Sequence, residues 1–153
     1  MRPAYIEVKL SHLKHNLELI RNHTNNKPVM AVVKSNAYGH GMLEIAKFFE
    51  LSRVHSLGVA LLEEGIYLRK NGINLPIVVF GGVLEDQISK FLDWDLEFFV
   101  SSIDILRNAE KISKEKSKKA VIHLKLDSGM GRIGEIVSNS EFFFKEAVKK
   151  KHI

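Results

Sequence analysis

The chain has 153 residues, 45% hydrophobic and 27% charged, with a formal net charge of +5 and no cysteine. That length makes about one domain with a real core, and the missing cysteine excludes disulfides, thiolate metal sites and cysteine nucleophiles. The positive excess lies largely in Lys111 to Lys119 and Lys145 to Lys151, interleaved with Glu110, Glu115, Glu141 and Glu146, which reads as solvated helix faces rather than a nucleic-acid footprint.

Residues 4 to 9, AYIEVK, alternate apolar and polar as a half-buried strand does. Ser11 is expected to cap a helix running to about Arg21. After a polar loop, Val29 to Val33 is continuously apolar, the pattern of a parallel strand covered on both faces. Met42 to Leu51 is expected to be helical, Leu57 to Ala60 a strand, and Leu61 to Asn71 a helix stopped by Gly72. Pro76 to Phe80 is the next strand, followed by a short helix over Leu84 to Leu92 and a strand over Leu96 to Val100. Ser101 or Ser102 caps a helix reaching about Ser117. Ala120 to Leu126 is a fifth strand, Asp127 to Gly134 a glycine-rich loop, and Ser140 to Lys151 the final helix.

Strands alternating with helices indicate βαβ units and a parallel sheet. Five such strands fit an open sheet or part of an eight-stranded barrel, which needs roughly 250 residues when complete. No run approaches the ~20 apolar residues of a membrane span. The opening MRPAYIEVKL, broken by Glu7 and Lys9, lacks a secretory signal, so a cytoplasmic setting is expected.

Two stretches carry chemistry. In VMAVVKSNAYGHG, Lys34 ends the apolar strand, at the carboxyl edge where parallel α/β folds keep their sites. Such a lysine either snorkels to water or, partly desolvated, forms a Schiff base with a carbonyl compound. In HLKLDSGMGRIG, residues 129 to 134 match GxGxxG, but after the fifth strand and with no helix opening directly, so a dinucleotide site is not read from them. The glycines leave Arg132 free to address an anion or phenolate, or the loop is a surface turn in which Arg132 pairs with Asp127. Lys125 shares that strand end, and two cations there repel unless an anion joins them. His12 and His15 lack a third ligand for a metal, His40 could meet a phosphate, and Glu63 and Glu64 read as a solvated helix start.

Taken together, these residues resemble the alanine racemase family of pyridoxal-phosphate enzymes. RPAYIEVKLSHLKHNLELIR is similar to that family's opening strand and helix, AVVKSNAYGHG to its cofactor-lysine motif, GVALLEEGIYLRKNGI to the segment that follows, and HLKLDSGMGRIG to its arginine loop. The resemblance implies a partial TIM-type (β/α) barrel, with residues 1–153 as its amino-terminal portion and no carboxyl-terminal β domain. It implies pyridoxal 5'-phosphate held by Lys34 as a Schiff base, with Lys34 then the base serving the D-enantiomer. Tyr38 would bond the cofactor phosphate, and Arg132 would reach the phenolic oxygen and the substrate carboxylate. Lys125 matches a lysine often carbamylated in the family, a change that would turn its cation into an anion able to orient Arg132. The implied activity is interconversion of L- and D-alanine for cell-wall supply, by a homodimer, without nucleic acid, membrane or metal.

The family's second proton donor is a tyrosine from the β domain, and Tyr5, Tyr38 and Tyr67 are the only tyrosines here. The expectation is a fragment with negligible racemase activity alone, prone to self-association through open sheet edges. The alternative is a non-catalytic module similar to single-barrel pyridoxal-phosphate homeostasis proteins.

Overall fold

The computed structural model describes residues 4–153. One parallel sheet holds β1 (Met30–Val32), β2 (Ser56–Val59), β3 (Ile77–Val79), β4 (Glu97–Val100) and β5 (Ile122–Leu124), in the order β1-β2-β3-β4-β5. Each strand pairs with the next in the chain, as barrel units do and doubly wound sheets do not. The intervening helices are α1 (Leu10–His23), α2 (Met42–Leu51), α3 (Leu62–Lys70), α4 (Ile88–Asp93) and α5 (Ile103–Glu115), with α6 (Ser140–Ala147) following β5.

The strands bury one face deeply against these helices. Ala31, Leu57, Val59, Ile77, Val79, Phe98 and Val100 join Ile45, Leu68, Phe91 and Leu106 in a single core. On the opposite, concave face Met30 and Val32 remain 38% exposed, so β1 is covered on one side only, contrary to its continuous apolar pattern. Two other elements also differ from expectation. Residues 4 to 9 form no strand and leave Tyr5 and Ile6 exposed, because no neighbouring strand among the described residues accepts their backbone. Ser11 lies inside α1, which starts one residue earlier and has Lys9 at its N-cap without a side-chain cap.

The remaining boundaries follow local chemistry. Ser102 Oγ accepts the Ile105 N–H at 3.3 Å and caps α5. The segment expected as one helix from Leu84 begins as a 3₁₀ turn over Glu85–Gln87 before α4. At the floor of the sheet, Arg69 of α3 donates to the carbonyls of Ile73 (2.8 Å), Leu75 (2.7 Å), Trp94 (3.2 Å) and Asp95 (2.8 Å), tying the turns that feed β3 and β4. Burial pushes its guanidinium below its usual value, while Asp95, Glu50 and Glu97 pull it back up.

Candidate active site

Val33 is fully buried and its N–H donates to the Gly58 carbonyl at 2.8 Å, so Lys34 leaves the sheet from a fixed point. The chain then turns in a way the sequence does not announce. Ser35, Asn36, Ala37 and Tyr38 all take positive φ, at 52°, 55°, 51° and 54°. Such a left-handed turn costs L-residues on the order of 1–2 kcal/mol each, so neighbouring groups must hold it. Asn36 supplies part of that hold. Its carbonyl accepts the N–H groups of Gly39 and Gly41, both at 3.0 Å, and its Oδ1 accepts the Met42 N–H at 2.8 Å, joining the turn to α2.

The second stretch builds the facing wall. After β5, Leu126–Asp127 (β6) pairs in parallel with Glu135–Ile136 (β7), pinching residues 128 to 134 into a loop. Gly134 closes it at φ +142°, where a Cβ would stand 2.5 Å from the Asp127 nitrogen, so no side chain fits. Asp127 does not pair with the Arg132 side chain. Its carboxylate accepts backbone N–H groups, foremost Gly131 and Gly129 (the latter at 2.8 Å), with smaller help from Met130 and Arg132. These bonds hold it below the usual carboxylate range against a smaller opposing desolvation. The Arg132 guanidinium has no ion pair among the described residues.

Between the two loops lies an open cleft of about 480 Å³, lined by Lys34, Ala60, Leu61, Phe80, Gly81, Phe99, Lys125, Arg132 and Ile133. Phe80 and Phe99 stack at 5.6 Å between centroids and 19° between planes, giving the cleft an aromatic floor. Gly58 makes room for it, since a Cβ there would meet the Phe80 ring at 2.3 Å. Lys125 Nζ sits 4.8 Å from the Phe99 centroid, a cation–π distance. The alternation of a strand puts Glu97 and His123 one layer deeper on the same face. Glu97 Oε2 and His123 Nε2 lie 2.8 Å apart, and the imidazole meets the Phe99 ring edge-on.

Lys34, Lys125 and Arg132 thus converge, from positions 91 and 98 residues apart along the chain, on one cleft whose lining holds no acidic side chain. Tyr38 does not join them: it stands 63% exposed at the end of the left-handed turn. His40 folds back, its Nδ1 2.8 Å from the Ala37 carbonyl. No cluster of three metal-ligating side chains occurs among the described residues. A smaller cavity of about 180 Å³ lies at the other end of the strands, beside Arg69, Lys119 and Ala120. Four of the five N–H donors of its arginine are spent on carbonyls, whereas the Arg132 guanidinium has no ion pair among the described residues.

Phe80, Phe99, Glu97 and His123 were not singled out from sequence. A usable signal existed for the last two: an ionisable residue inside each of two adjacent apolar strands. Glu64 was misread. Its half-buried carboxylate also accepts the N–H groups of Ser35 (2.7 Å), Ala60 (2.7 Å) and Leu61 (3.1 Å).

Comparison with known proteins agrees with this architecture. The family described as alanine racemase, N-terminal domain, matches residues 8–152. The alanine racemase of Methanococcus maripaludis is 41% identical over 149 residues, 97% of this chain and 39% of that protein. That of Geobacter sulfurreducens is 37% identical over 99% of this chain and 40% of its own length. The solved alanine racemase of Clostridium difficile 630 superposes with a TM-score of 0.89 at 34% identity, covering 97% of this chain and 41% of that one. A histidine racemase from Leuconostoc mesenteroides gives a TM-score of 0.85 at 26% identity. The chain spans about two-fifths of the length of these relatives. Five parallel strands in barrel order, a lysine and an arginine loop at their carboxyl ends, and a family match over residues 8–152 lead to one assignment: the chain belongs to the alanine racemase N-terminal domain family.

Proposed function

We propose that this chain binds pyridoxal 5'-phosphate on Lys34 and supplies the Lys34 side of a racemase acting on alanine. One observation carries the reading: an amine, a second lysine and an unpaired guanidinium meet over an aromatic floor in a cleft without acidic residues. That donor set fits a flat, anionic aldehyde. When bound, the cofactor withdraws electrons from the substrate's α-carbon and makes its hydrogen removable.

The chain's own groups divide the remaining work. Lys34 would hold the cofactor's carbonyl carbon through its amine and, once free, would take or return a proton at the substrate's α-carbon on one face. Arg132 offers a planar fork to the phenolic oxygen and the substrate carboxylate. Lys125 would gain a carbamate when its ammonium gives up two protons to solvent and its nitrogen bonds to the carbon of carbon dioxide, which would convert a second cation into an anionic partner for Arg132. Tyr38, exposed at the end of the left-handed turn, would offer its hydroxyl to the cofactor phosphate. The cleft lining contains no tyrosine, so the tyrosine that the resemblance assigns to the opposite face of the α-carbon would come from outside this lining.

Borohydride reduction of the chain mixed with pyridoxal 5'-phosphate, followed by peptide mass spectrometry, tests the reading. A stable adduct on Lys34 is expected, absent in Lys34→Ala. Adduct spread over surface lysines with Lys34 unlabelled would sink the proposal. ¹³C NMR under labelled carbon dioxide tests Lys125, with one carbamate resonance expected and lost in Lys125→Ala.

A further inference from the structure

We infer that Glu64 is a positioning residue for Lys34: by accepting the Ser35 N–H, its carboxylate holds the left-handed turn that aims the lysine into the cleft. The inference rests on the proposed role of Lys34 and extends it to a residue outside the cleft.

The geometry is specific. Glu64 sits in the first turn of α3, where a carboxylate that reaches back to the N-cap amide is an ordinary helix device. Its Oε2 does this, accepting from Leu61 at 3.1 Å and Ala60 at 2.7 Å. Its Oε1 is thereby left facing β1, and accepts the N–H of Ser35, 29 residues earlier, at 2.7 Å. One carboxylate therefore joins the carboxyl ends of β1 and β2 through three backbone donors. Ser35 is the first of the four non-glycine residues at positive φ and directly follows Lys34. Its N–H belongs to the peptide unit whose carbonyl is that of Lys34, so fixing that unit fixes the direction in which the lysine leaves the strand. The left-handed conformation is unfavourable for these residue types, so a turn released from Glu64 relaxes toward ordinary backbone and carries the amine away. Bonds from backbone N–H to an ionised acceptor are stronger than neutral ones, which explains a carboxylate at this position rather than an amide.

Two substitutions separate the clamp from the helix device. Aspartate is one methylene shorter and reaches the amides three and four residues back, but not Ser35. In Glu64→Gln the side-chain NH₂ faces a backbone N–H. Amide hydrogen exchange, read without cofactor, should find Ser35 protected in the unaltered chain and exchanging about tenfold faster in E64D and E64Q, with Leu57 and Phe80 unchanged. Borohydride trapping at limiting pyridoxal 5'-phosphate should label Lys34 about tenfold less in both variants. Ser35→Gly added to E64Q should recover several-fold of that loss, because glycine takes φ near +52° without strain. An unprotected Ser35 amide in the unaltered chain overturns the inference, as does faster Ser35 exchange with unchanged Lys34 labelling, or a deficit that glycine does not relieve. An unaltered chain with Ser35 protected but no label on Lys34 refutes the cofactor reading instead of the clamp.

Discussion

Several residues are constrained by backbone geometry more than by chemistry. Gly134 has positive φ and a Cβ there would stand 2.5 Å from the Asp127 nitrogen, so Gly134→Ala meets both strain and a clash. A loss of roughly 1–3 kcal/mol is expected in urea unfolding, by the usual scale of such backbone strain, with broadening of loop resonances first. Arg69 is a different case, a charged donor with four carbonyl partners. Arg69→Ala leaves those acceptors partly buried and unsatisfied, so a destabilisation of about 3 kcal/mol or more is expected, though hydrogen-bond contributions are not additive. A measured midpoint shift small enough to mean under about 1 kcal/mol would show that water replaces the guanidinium. Lysine at this position should not rescue, since it lacks the fork.

At the scale of an element, the arginine loop is pinched at its base by the β6–β7 pairing and held from within by one carboxylate. The Asp127 carboxyl titrates below its usual range because Gly131, Gly129 and their neighbours donate to its charged form. A lowered native pKa contributes order that is present above the unfolded value, about 3.9 for aspartate, and is lost as pH falls through the lower native value. The loop should therefore keep its geometry down to about pH 4 and loosen below it, which the Gly129 and Gly131 amide shifts would report. Asp127→Asn should loosen it at every pH and flatten that dependence. An unchanged profile in the variant would assign the acid transition elsewhere. The α5 cap makes a smaller, independent claim: Ser102→Ala should cost about 1 kcal/mol by thermal unfolding, the usual worth of an N-cap.

For the whole molecule, the concave face decides function. It gathers the aromatic floor, the Glu97–His123 pair and three cations, and leaves β1 and β5 as the sheet's two edges. With Lys34 on one side of the cleft and no tyrosine in its lining to serve the opposite face, the 153-residue chain alone should interconvert L- and D-alanine negligibly. Chiral chromatography after incubation with cofactor tests this, and appreciable D-alanine from L-alanine would overturn it. Open edges with half-exposed Met30 and Val32 should also make the chain associate as concentration rises, seen as growing sedimentation coefficients.

Periodicity in the sequence determined the alternating α/β order, all five parallel strands to within a residue or two, α2 at its observed bounds, and the two loops that meet at the cleft. Those features are local: apolar runs, glycine stops and polar loops act over a few residues. Lys34 at a strand end was legible for the same reason, although whether it snorkels or enters a site was not. Tertiary structure decided the rest. The Ser35–Tyr38 turn runs against the intrinsic preference of its residues and exists because Asn36 and Glu64 satisfy its backbone, one from within and one from 29 residues away. Residues 4 to 9 alternate like a strand yet form none, because a strand needs a partner that its own sequence does not encode. Glu64, which reads as one more solvated carboxylate at a helix start, became an organising contact once β1 lay beside β2. Hydrogen bonds between distant segments leave no periodic trace in the chain, and here they decide where the lysine points.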